Sequence, residues 1–262
     1  MRIVSLYSSS KANSTYIENN GEGIVVDVGC SFKALRDSLA KINRTIDDVR
    51  AIFITHEHSD HIAGLFQITK NTDIPIYASE GTLRQMVADE KVFTDTNLHS
   101  LSELSSAPID FETKAFHTPH DSAESVGYTF TLGDTKIAVC TDVGHVTSEV
   151  RENLMGSRFV LLESNYDQKM LLKNTKYPTY LKERICSDYG HLSNSDCGGF
   201  VRELIKSGTT SFLLGHLSQE NNTPLIAYNN IISALSADGA RINRDYLLEV
   251  AAVQGTGKTV VV

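Results

Sequence analysis

Five apolar runs in this sequence of 262 residues each end in a side chain that can bind a metal or transfer a proton. We predict a β-strand for each run. The side chains that follow them are His56, the pair His117 and His120, Asp142, Glu163 and His216. Open α/β sheets place their ligands at the carboxyl ends of strands. The pattern therefore predicts a single α/β domain, residues 1–262, with one site along a sheet edge.

The segment after the first of these runs is dense in metal-ligand side chains. His56, His58, Asp60 and His61 form the pattern His-x-His-x-Asp-His within six positions, and such imidazoles and carboxylates suit two closely spaced divalent cations. Histidines two positions apart point to opposite sides of a helix, so a loop or extended segment must carry the first pair. A helix over 60–69 then places Asp60 near its positive end. The zinc motif His-Glu-x-x-His is excluded, because Asp60 replaces its second histidine.

The remaining sequence alternates strands and helices without a low-complexity linker. The predicted strands are 2–7, 14–18, 23–27, 51–54, 74–78, 109–116, 125–132, 136–140, 158–162 and 210–214. The predicted helices are 32–41, 60–69, 80–88, 178–187, 195–206 and 223–237. A terminal hairpin is predicted between 250–253 and 260–262, with its turn at 255–259. That turn is not a phosphate loop, because Ala252 occupies the required earlier glycine position.

Composition excludes few classes of protein. Apolar residues make up 41% and charged residues 21% of the chain, as in ordinary globular proteins. No stretch resembles a membrane span or a signal peptide, and the four widely spaced cysteines lack a Cys-x-x-Cys pair. We therefore expect reduced thiols, a cytoplasmic location and no membrane partner. The formal charge of −8 argues against a protein that coats nucleic acid, but bound cations would still permit a nucleic-acid enzyme.

Several motifs of the chain resemble the metallo-β-lactamase superfamily, which implies a four-layer αββα sandwich. They are Val26-Asp27-Val28-Gly29, the His-x-His-x-Asp-His segment, the downstream histidine, Thr141-Asp142 and Gly215-His216. Ser8-Ser9-Ser10, His120-Asp121-Ser122, Gly127-Tyr128, Leu162-Glu163-Ser164-Asn165 and the Gly-His-Leu-Ser repeats at 190–193 and 215–218 are similar to the bacterial WalJ (YycJ) branch. That branch implies a 5′-to-3′ exonuclease acting on DNA. The two late histidines also resemble ribonuclease Z, although no insertion matches its tRNA-gripping arm.

The resemblance implies a ligand set for two divalent ions, Zn²⁺ or Mn²⁺. His56, His58 and His120 would hold the first ion, Asp60, His61 and His216 the second, and Asp142 would bridge them. His117 is an alternative to His120, which the following Asp121 favours. A hydroxide held between the ions would attack the phosphate, with Asp60 counted among the catalytic residues.

A proton donor for the leaving oxygen is the other catalytic requirement. His191 precedes a predicted helix start that is rich in the capping side chains Ser193, Asn194 and Ser195. We hypothesise that His191 is the general acid and that Glu163 orients it. The alternative is a histidine that only caps the helix.

The substrate is predicted less directly. Five basic residues between Glu163 and His191 are interleaved with tyrosines, which suits a phosphate backbone and a stacked base, although a solvated surface explains them equally well. We expect a nucleic-acid substrate, with DNA favoured over RNA. The alternative is a thioester, lactone or small cyclic phosphodiester hydrolase of the same superfamily.

Overall fold

The β-strands of the computed structural model form two sheets, and each sheet has its own hydrophobic core. The structure describes residues 1–93, 96–254 and 259–262. These residues form two compact units, each built from separate stretches of the chain. The first unit comprises 1–114, 122–126 and 252–262, and the second comprises 115–121 and 127–251. The prediction of one domain over residues 1–262 stays a prediction.

The first unit contains a seven-stranded sheet in the order β13-β1-β2-β3-β4-β5-β6. Its strands are β1 (Arg2–Ser9), β2 (Ala12–Asn19), β3 (Glu22–Val26), β4 (Val49–Phe53), β5 (Ile76–Ala78), β6 (Leu98–Ser100) and β13 (Thr259–Val261). Its helices are α1 (Phe32–Lys41), α2 (Ser59–Ile62), α3 (Leu65–Asn71) and α4 (Glu80–Ala88). β13, β1, β2 and β3 pair antiparallel, whereas β3, β4, β5 and β6 pair parallel. The parallel part brings the carboxyl ends of β3 and β4 side by side.

The second unit contains a six-stranded sheet in the order β12-β11-β10-β9-β8-β7. The strands of this sheet are β7 (Glu112–His117), β8 (Val126–Leu132), β9 (Thr135–Cys140), β10 (Phe159–Glu163), β11 (Ser211–Gly215) and β12 (Leu247–Val250). The first three residues of β7 and the first residue of β8 are assigned to the first unit. The helices of the second unit are α5 (Ser148–Leu154), α6 (Gln168–Lys173), α7 (Thr179–Ile185), α8 (Asn194–Lys206) and α9 (Pro224–Ala237). β9, β10, β11 and β12 are parallel, so three strand ends predicted to carry functional residues are neighbours.

Alternating side chains of the parallel strands explain the core of the second unit. Val160 and Leu162 of β10 pack with Phe212 and Leu214 of β11 in one cluster. α5, α8 and α9 contribute buried apolar side chains to the same cluster, including Leu204. Burying such side chains contributes about 1.5–3 kcal/mol each, so this packing fixes the strands that end in Glu163 and His216.

The predicted helix over 60–69 is two helices rather than one. α2 ends at Ile62 and α3 begins at Leu65, with Gly64 as the residue that precedes α3. The Gly64 N–H donates to the Val28 carbonyl at 2.9 Å instead of continuing the helix. A Cβ at Gly64 would lie 2.3 Å from the Cys30 carbonyl oxygen, so only glycine permits this approach.

The predicted terminal hairpin is wrong. β12 pairs parallel with β11 in the second sheet, whereas β13 pairs antiparallel with β1 in the first. Of the predicted strand 250–253, only Val250 lies in β12. β12 and β13 therefore belong to different sheets, a long-range choice that local strand propensity does not encode. Of the predicted turn at 255–259, residues 255–258 lie outside the described residues, and Thr259 begins β13.

A buried carboxylate links β2 to two arginines in the first unit. Glu18, with a side chain only 6% exposed, accepts hydrogen bonds from Arg44 at 2.5 Å, Arg2 at 3.0 Å and the Tyr16 hydroxyl at 3.0 Å. Burial alone would raise the pKa of Glu18, but the hydrogen bonds from Arg44 and Arg2 lower it below its ordinary value. The carboxylate therefore stays ionised in the folded state, and its contribution to stability depends on pH.

We expect Glu18→Gln to lower the free energy of unfolding at pH 7 by about 2 kcal/mol, between the values for exposed and fully buried ion pairs. Because the pKa of Glu18 is lowered on folding, its stabilisation is present above the ordinary pKa and is lost as the pH falls through the folded value. The difference in unfolding free energy between the wild type and Glu18→Gln should therefore shrink below about pH 4. Urea unfolding of both proteins at pH 7 and pH 3 measures this difference. Glu22→Gln, whose partner Arg50 is also half-exposed, is the matched control and should cost under about 0.5 kcal/mol. Equal effects of both variants would contradict this account.

No helix within the described ranges is long and apolar enough to cross a bilayer. The four cysteines are free thiols, with Cys30, Cys140 and Cys197 buried and Cys186 exposed.

Candidate metal centre

The first cluster of candidate ligands follows β4 in the first unit. His58 has the extended backbone of a helix N-cap, with φ −62° and ψ 148°, and α2 then carries Asp60 and His61. The His56 ring lies 4.6 Å from the His58 ring and 4.1 Å from the His61 ring, measured between centroids. As the sequence predicts, an extended segment leads into a helix start, and this backbone brings the four side chains together.

Asp27, at the end of β3, fixes this cluster through hydrogen bonds. Its carboxylate accepts hydrogen bonds from the Thr55 N–H at 2.8 Å, the Thr55 hydroxyl at 2.9 Å and His61 Nδ1–H at 2.7 Å. Asp27 is 3% exposed and adopts the left-handed backbone conformation at φ +61°. A non-glycine residue in that region is uncommon and often marks a functional position.

Gly29 allows the segment that follows β3 to pack directly on α2. The Val28 N–H donates to the His61 carbonyl at 2.7 Å. A Cβ on Gly29 would lie 1.6 Å from the Asp60 carbonyl oxygen, so any larger residue would displace the helix start. This contact explains why the Val26-Asp27-Val28-Gly29 segment accompanies the histidine motif.

The second cluster lies where β9, β10 and β11 end in the second unit. Glu163 is the last residue of β10, and its register partner Gly215 on β11 directly precedes His216. Asp142 Oδ1 lies 3.3 Å from His216 Nδ1, 3.6 Å from His191 Nδ1 and 3.6 Å from His120 Nε2. Asp142 and His216 both have left-handed backbones, at φ +54° and +53°. The parallel register brings Asp142, Glu163 and His216 to one sheet edge. His120 and His191 reach the same edge from the loops that follow β7 and precede α8.

Glu163 anchors two histidines at once. Its Oε1 accepts Nδ1–H of His191 at 2.8 Å and of His216 at 2.8 Å, and its Oε2 accepts the N–H groups of Val143 at 2.9 Å and Leu192 at 3.1 Å. Complete burial would raise the pKa of Glu163, but His191 and His216 lower it to about 2. Glu163 is therefore an anion that accepts a hydrogen bond from each imidazole and orients both rings.

His120 and its alternative His117 have opposite environments. The His120 side chain is 1% exposed, and burial lowers the pKa of its imidazole, which keeps it neutral as a metal ligand must be. The His117 side chain is 65% exposed and lies 3.4 Å from the Glu149 carboxylate. These surroundings favour His120 over His117, although its role as a ligand stays a prediction.

Three candidate ligands share one hydrogen-bonding pattern. Nδ1–H of His61 donates to Asp27, that of His120 to the Gly190 carbonyl at 3.0 Å, and that of His216 to Glu163. A carbonyl or ionised carboxylate can only accept, so the proton of each neutral ring lies on Nδ1. Nε2 then carries the lone pair, as in metal-binding histidines that are oriented by an oxygen acceptor.

The donor set fits divalent metal ions within each unit. In the second unit, ligand atoms of Asp142, Glu163, His191 and His216 all lie within 4.8 Å of one another. The first unit offers three closely spaced imidazoles and Asp60. Imidazole and carboxylate groups of this kind suit zinc or manganese.

Sequence reasoning assigned no role to three residues that hold the clusters. Asp27 was noticed only within the Val26-Asp27-Val28-Gly29 motif, although it ends a predicted strand as the candidate site residues do. Asn13, whose amide lies 3.1 Å from His61 Nε2, gave no signal in the sequence. Asn165 was noticed only within a motif, yet its side chain donates to the His216 carbonyl at 2.8 Å and its N–H donates to the Leu192 carbonyl at 2.9 Å. Asn165 thus ties the His191 loop to the His216 loop.

Comparison with known families agrees with this chemistry. A β-lactamase superfamily domain matches residues 23–217, so the chain belongs to the β-lactamase superfamily and is a hydrolase of its metallo-β-lactamase fold. Within the family it is similar to exodeoxyribonuclease YycJ of Bacillus anthracis, with 34% identity over 89% of each chain. It is also similar to exodeoxyribonuclease WalJ of Streptococcus pneumoniae, with 32% identity over 92% of this chain and 90% of the relative.

The solved structure of the metallo-β-lactamase fold protein YhfI from Bacillus subtilis matches with a TM-score of 0.72. At 14% identity it covers 99% of this chain and 98% of its own, which shows the shared fold. The predicted family and fold class are therefore confirmed. The roles assigned to individual ligands stay predictions.

Proposed function

We propose that this protein hydrolyses phosphodiester bonds in nucleic acid, with DNA as the preferred substrate, and removes nucleotides from a 5′ end. The observation that carries the proposal is the buried Glu163 anion that holds His191 and His216 by their Nδ1 atoms at 2.8 Å. It is supported by two relatives that span about nine-tenths of the chain and are named exodeoxyribonucleases.

The proposed ligands follow the family pattern. His56, His58 and His120 would bind one divalent ion, Asp60, His61 and His216 a second, and Asp142 would be shared. Zinc or manganese at these positions would neutralise charge that develops on the phosphoryl oxygens and favour ionisation of the attacking water. Asp27, Glu163 and the Gly190 carbonyl orient the rings of His61, His216 and His120 toward that task.

His191 supplies the proton that the leaving oxygen needs. Its Nδ1–H donates to Glu163, so Nε2 is the atom that delivers a proton to the departing 3′ oxygen. The Glu163 carboxylate accepts the Nδ1–H of His191 and fixes the plane of its ring. With its side chain 18% exposed, His191 is the most accessible member of the second cluster's Asp142–Glu163–His191–His216 group, as a donor to substrate requires.

Digestion of end-labelled oligonucleotides tests the function. Single- and double-stranded DNA and RNA, labelled at either end, are incubated with protein loaded with zinc or manganese. We expect stepwise release of nucleotides from the 5′ end, faster on DNA. Hydrolysis of model thioesters, lactones or small cyclic phosphodiesters without any nucleic-acid cleavage would reject the proposal in favour of another superfamily activity.

We expect Asp27→Asn to weaken metal binding about 10- to 100-fold, because it removes the anion that orients His61. Competition with a chromogenic zinc chelator measures this affinity without relying on turnover. Asp37→Asn, an exposed carboxylate on α1 that pairs with Lys33, is the matched control and should leave the affinity unchanged. An unchanged affinity in Asp27→Asn would show that His61 needs no oriented acceptor.

A further inference from the structure

A segment with two helices lies between β10 and α8, and hydrogen bonds join its two ends. We call this segment the excursion. It comprises residues 166–190 and contains α6 and α7. The Asn165 N–H donates to the Leu192 carbonyl at 2.9 Å, and the Asn194 N–H donates to the Tyr166 carbonyl at 2.9 Å. Tyr166, Leu171 and Ile185 form a small buried core beneath the two helices. The 166–190 excursion is thus an ordered element that starts beside Glu163 and ends beside His191.

The last residues of the excursion contact two loops that carry candidate active-site residues and lead into His191. The Tyr189 carbonyl accepts the Asp121 N–H at 3.1 Å, and the Gly190 carbonyl accepts His120 Nδ1–H at 3.0 Å. The Asp188 carbonyl accepts His145 Nδ1–H at 3.0 Å, three residues beyond Asp142. The 188–190 end therefore contacts the loops of His120 and Asp142 and leads directly into His191.

The surface of the excursion differs in charge from the chain as a whole. It carries five basic and three acidic residues, although the net charge of the protein is −8. Lys176 is paired with Glu220 and Arg184 with Asp121, whereas Lys169 and Lys173, four positions apart on α6, are exposed. Lysines spaced in this way lie on the same face of the helix.

Two tyrosines of the excursion are also exposed. Tyr180 is 72% and Tyr189 is 62% exposed, which is high for large aromatic side chains. Tyr189 stands two residues before His191 in the sequence. An exposed aromatic ring two residues before the proposed proton donor offers a face on which a base can stack, and stacking requires that the base be unpaired.

We propose that the 166–190 excursion is the docking surface for a single-stranded nucleic acid, with Tyr189 stacking on the base next to the cleaved phosphate. Lys169 and Lys173 neutralise phosphates further along the strand. This inference rests on the proposed function and narrows its substrate to an unpaired end. A duplex would offer phosphates to the lysines but no free base to Tyr189.

Two sets of variants test the surface. Tyr189→Ala removes the ring, and Tyr189→Phe keeps it. Lys169→Ala combined with Lys173→Ala removes two charges, and Lys33→Ala combined with Lys41→Ala, which removes two exposed lysines of α1, is the matched control. The readouts are kcat/KM on a single-stranded oligonucleotide relative to bis(p-nitrophenyl) phosphate, and the affinity of the metal-loaded protein for a cleavage-resistant phosphorothioate oligonucleotide, measured by fluorescence anisotropy across a range of salt concentrations.

We expect Tyr189→Ala to lower the kcat/KM ratio and the affinity at least about fivefold, as the loss of one stacked base predicts, and Tyr189→Phe to restore both. In the variant that combines Lys169→Ala and Lys173→Ala, the slope of log affinity against log salt concentration should become shallower by about 1.4. This is the value expected for the loss of two phosphate contacts to a single strand. The α1 control should change neither quantity.

The outcomes separate this inference from the proposed function. If the wild-type protein cleaves bis(p-nitrophenyl) phosphate but no oligonucleotide, both the function and the surface are rejected. If it cleaves oligonucleotides and the excursion variants behave like the α1 control, the function stands and the surface is rejected. Faster cleavage of duplex than of single strands, with Tyr189→Ala unimpaired, would likewise overturn the single-strand docking surface.

Discussion

Asp142→Ala is expected to lower kcat/KM on bis(p-nitrophenyl) phosphate by about a thousandfold or more. The Asp142 carboxylate lies within 3.6 Å of nitrogen atoms of His120, His191 and His216, and the proposal makes it the ligand shared by both ions. Charge neutralisation by bound metals is worth several kcal/mol, and each 1.36 kcal/mol is a tenfold change in rate. Metal content should fall together with activity.

The backbone of Asp142 requires a second variant. Alanine is disfavoured at φ +54°, whereas asparagine tolerates this left-handed conformation. Asp142→Asn should therefore keep the melting temperature of the wild type while it still loses metal and activity. Asp134→Ala, an exposed carboxylate in the turn between β8 and β9, is the control and should behave as wild type. Full metal content and activity in Asp142→Asn would remove Asp142 from the ligand set.

His191→Ala is expected to reduce kcat by about 10²- to 10⁴-fold, the usual contribution of a general acid, with metal content unchanged. The geometry behind this expectation is the 2.8 Å hydrogen bond from His191 Nδ1–H to the buried Glu163 anion. The fall in kcat of His191→Ala should be smaller for a substrate whose leaving group needs no proton. Comparing an oligonucleotide with bis(p-nitrophenyl) phosphate therefore separates proton donation from other roles.

The control for His191 is His145→Ala. His145 is exposed and binds the Asp188 carbonyl at the same edge of the second unit, but no catalytic role is assigned to it. Its removal should leave kcat within about twofold, as expected for a surface substitution. Near-normal turnover of His191→Ala on oligonucleotides would reject the proton-donor role. His191 would then have only a structural role just before Ser193, the N-cap of α8.

The sequence predicted most elements because their periodicity is local. The helices Phe32–Lys41 and Glu80–Ala88 have the predicted bounds, since Ser31 and Ser79 cap them with their own side chains. The short helices α5 and α6 were missed, because seven and six residues carry too little periodicity to identify. The helix over 60–69 was divided by the contact of Gly64 with Val28, which no local pattern reveals.

The candidate site was predictable wherever a functional side chain follows an apolar run. Within the second unit, parallel pairing of β9, β10 and β11 brings Asp142, Glu163 and His216 together as the strand-end pattern predicts. The groups behind these side chains were not predictable. Asn165 acts through a hydrogen bond to a residue 51 positions away, and such a contact exists only once the strands have paired.

Counting the metal ions bound per chain tests the central claim most directly. Mass spectrometry of protein loaded with zinc or manganese should find about two ions in the wild type, and fewer in both His58→Ala and His216→Ala, one variant from each cluster. Both variants should also lose hydrolysis. A wild-type protein that retains no metal under either loading, or variants that keep the full complement with full activity, would contradict the account.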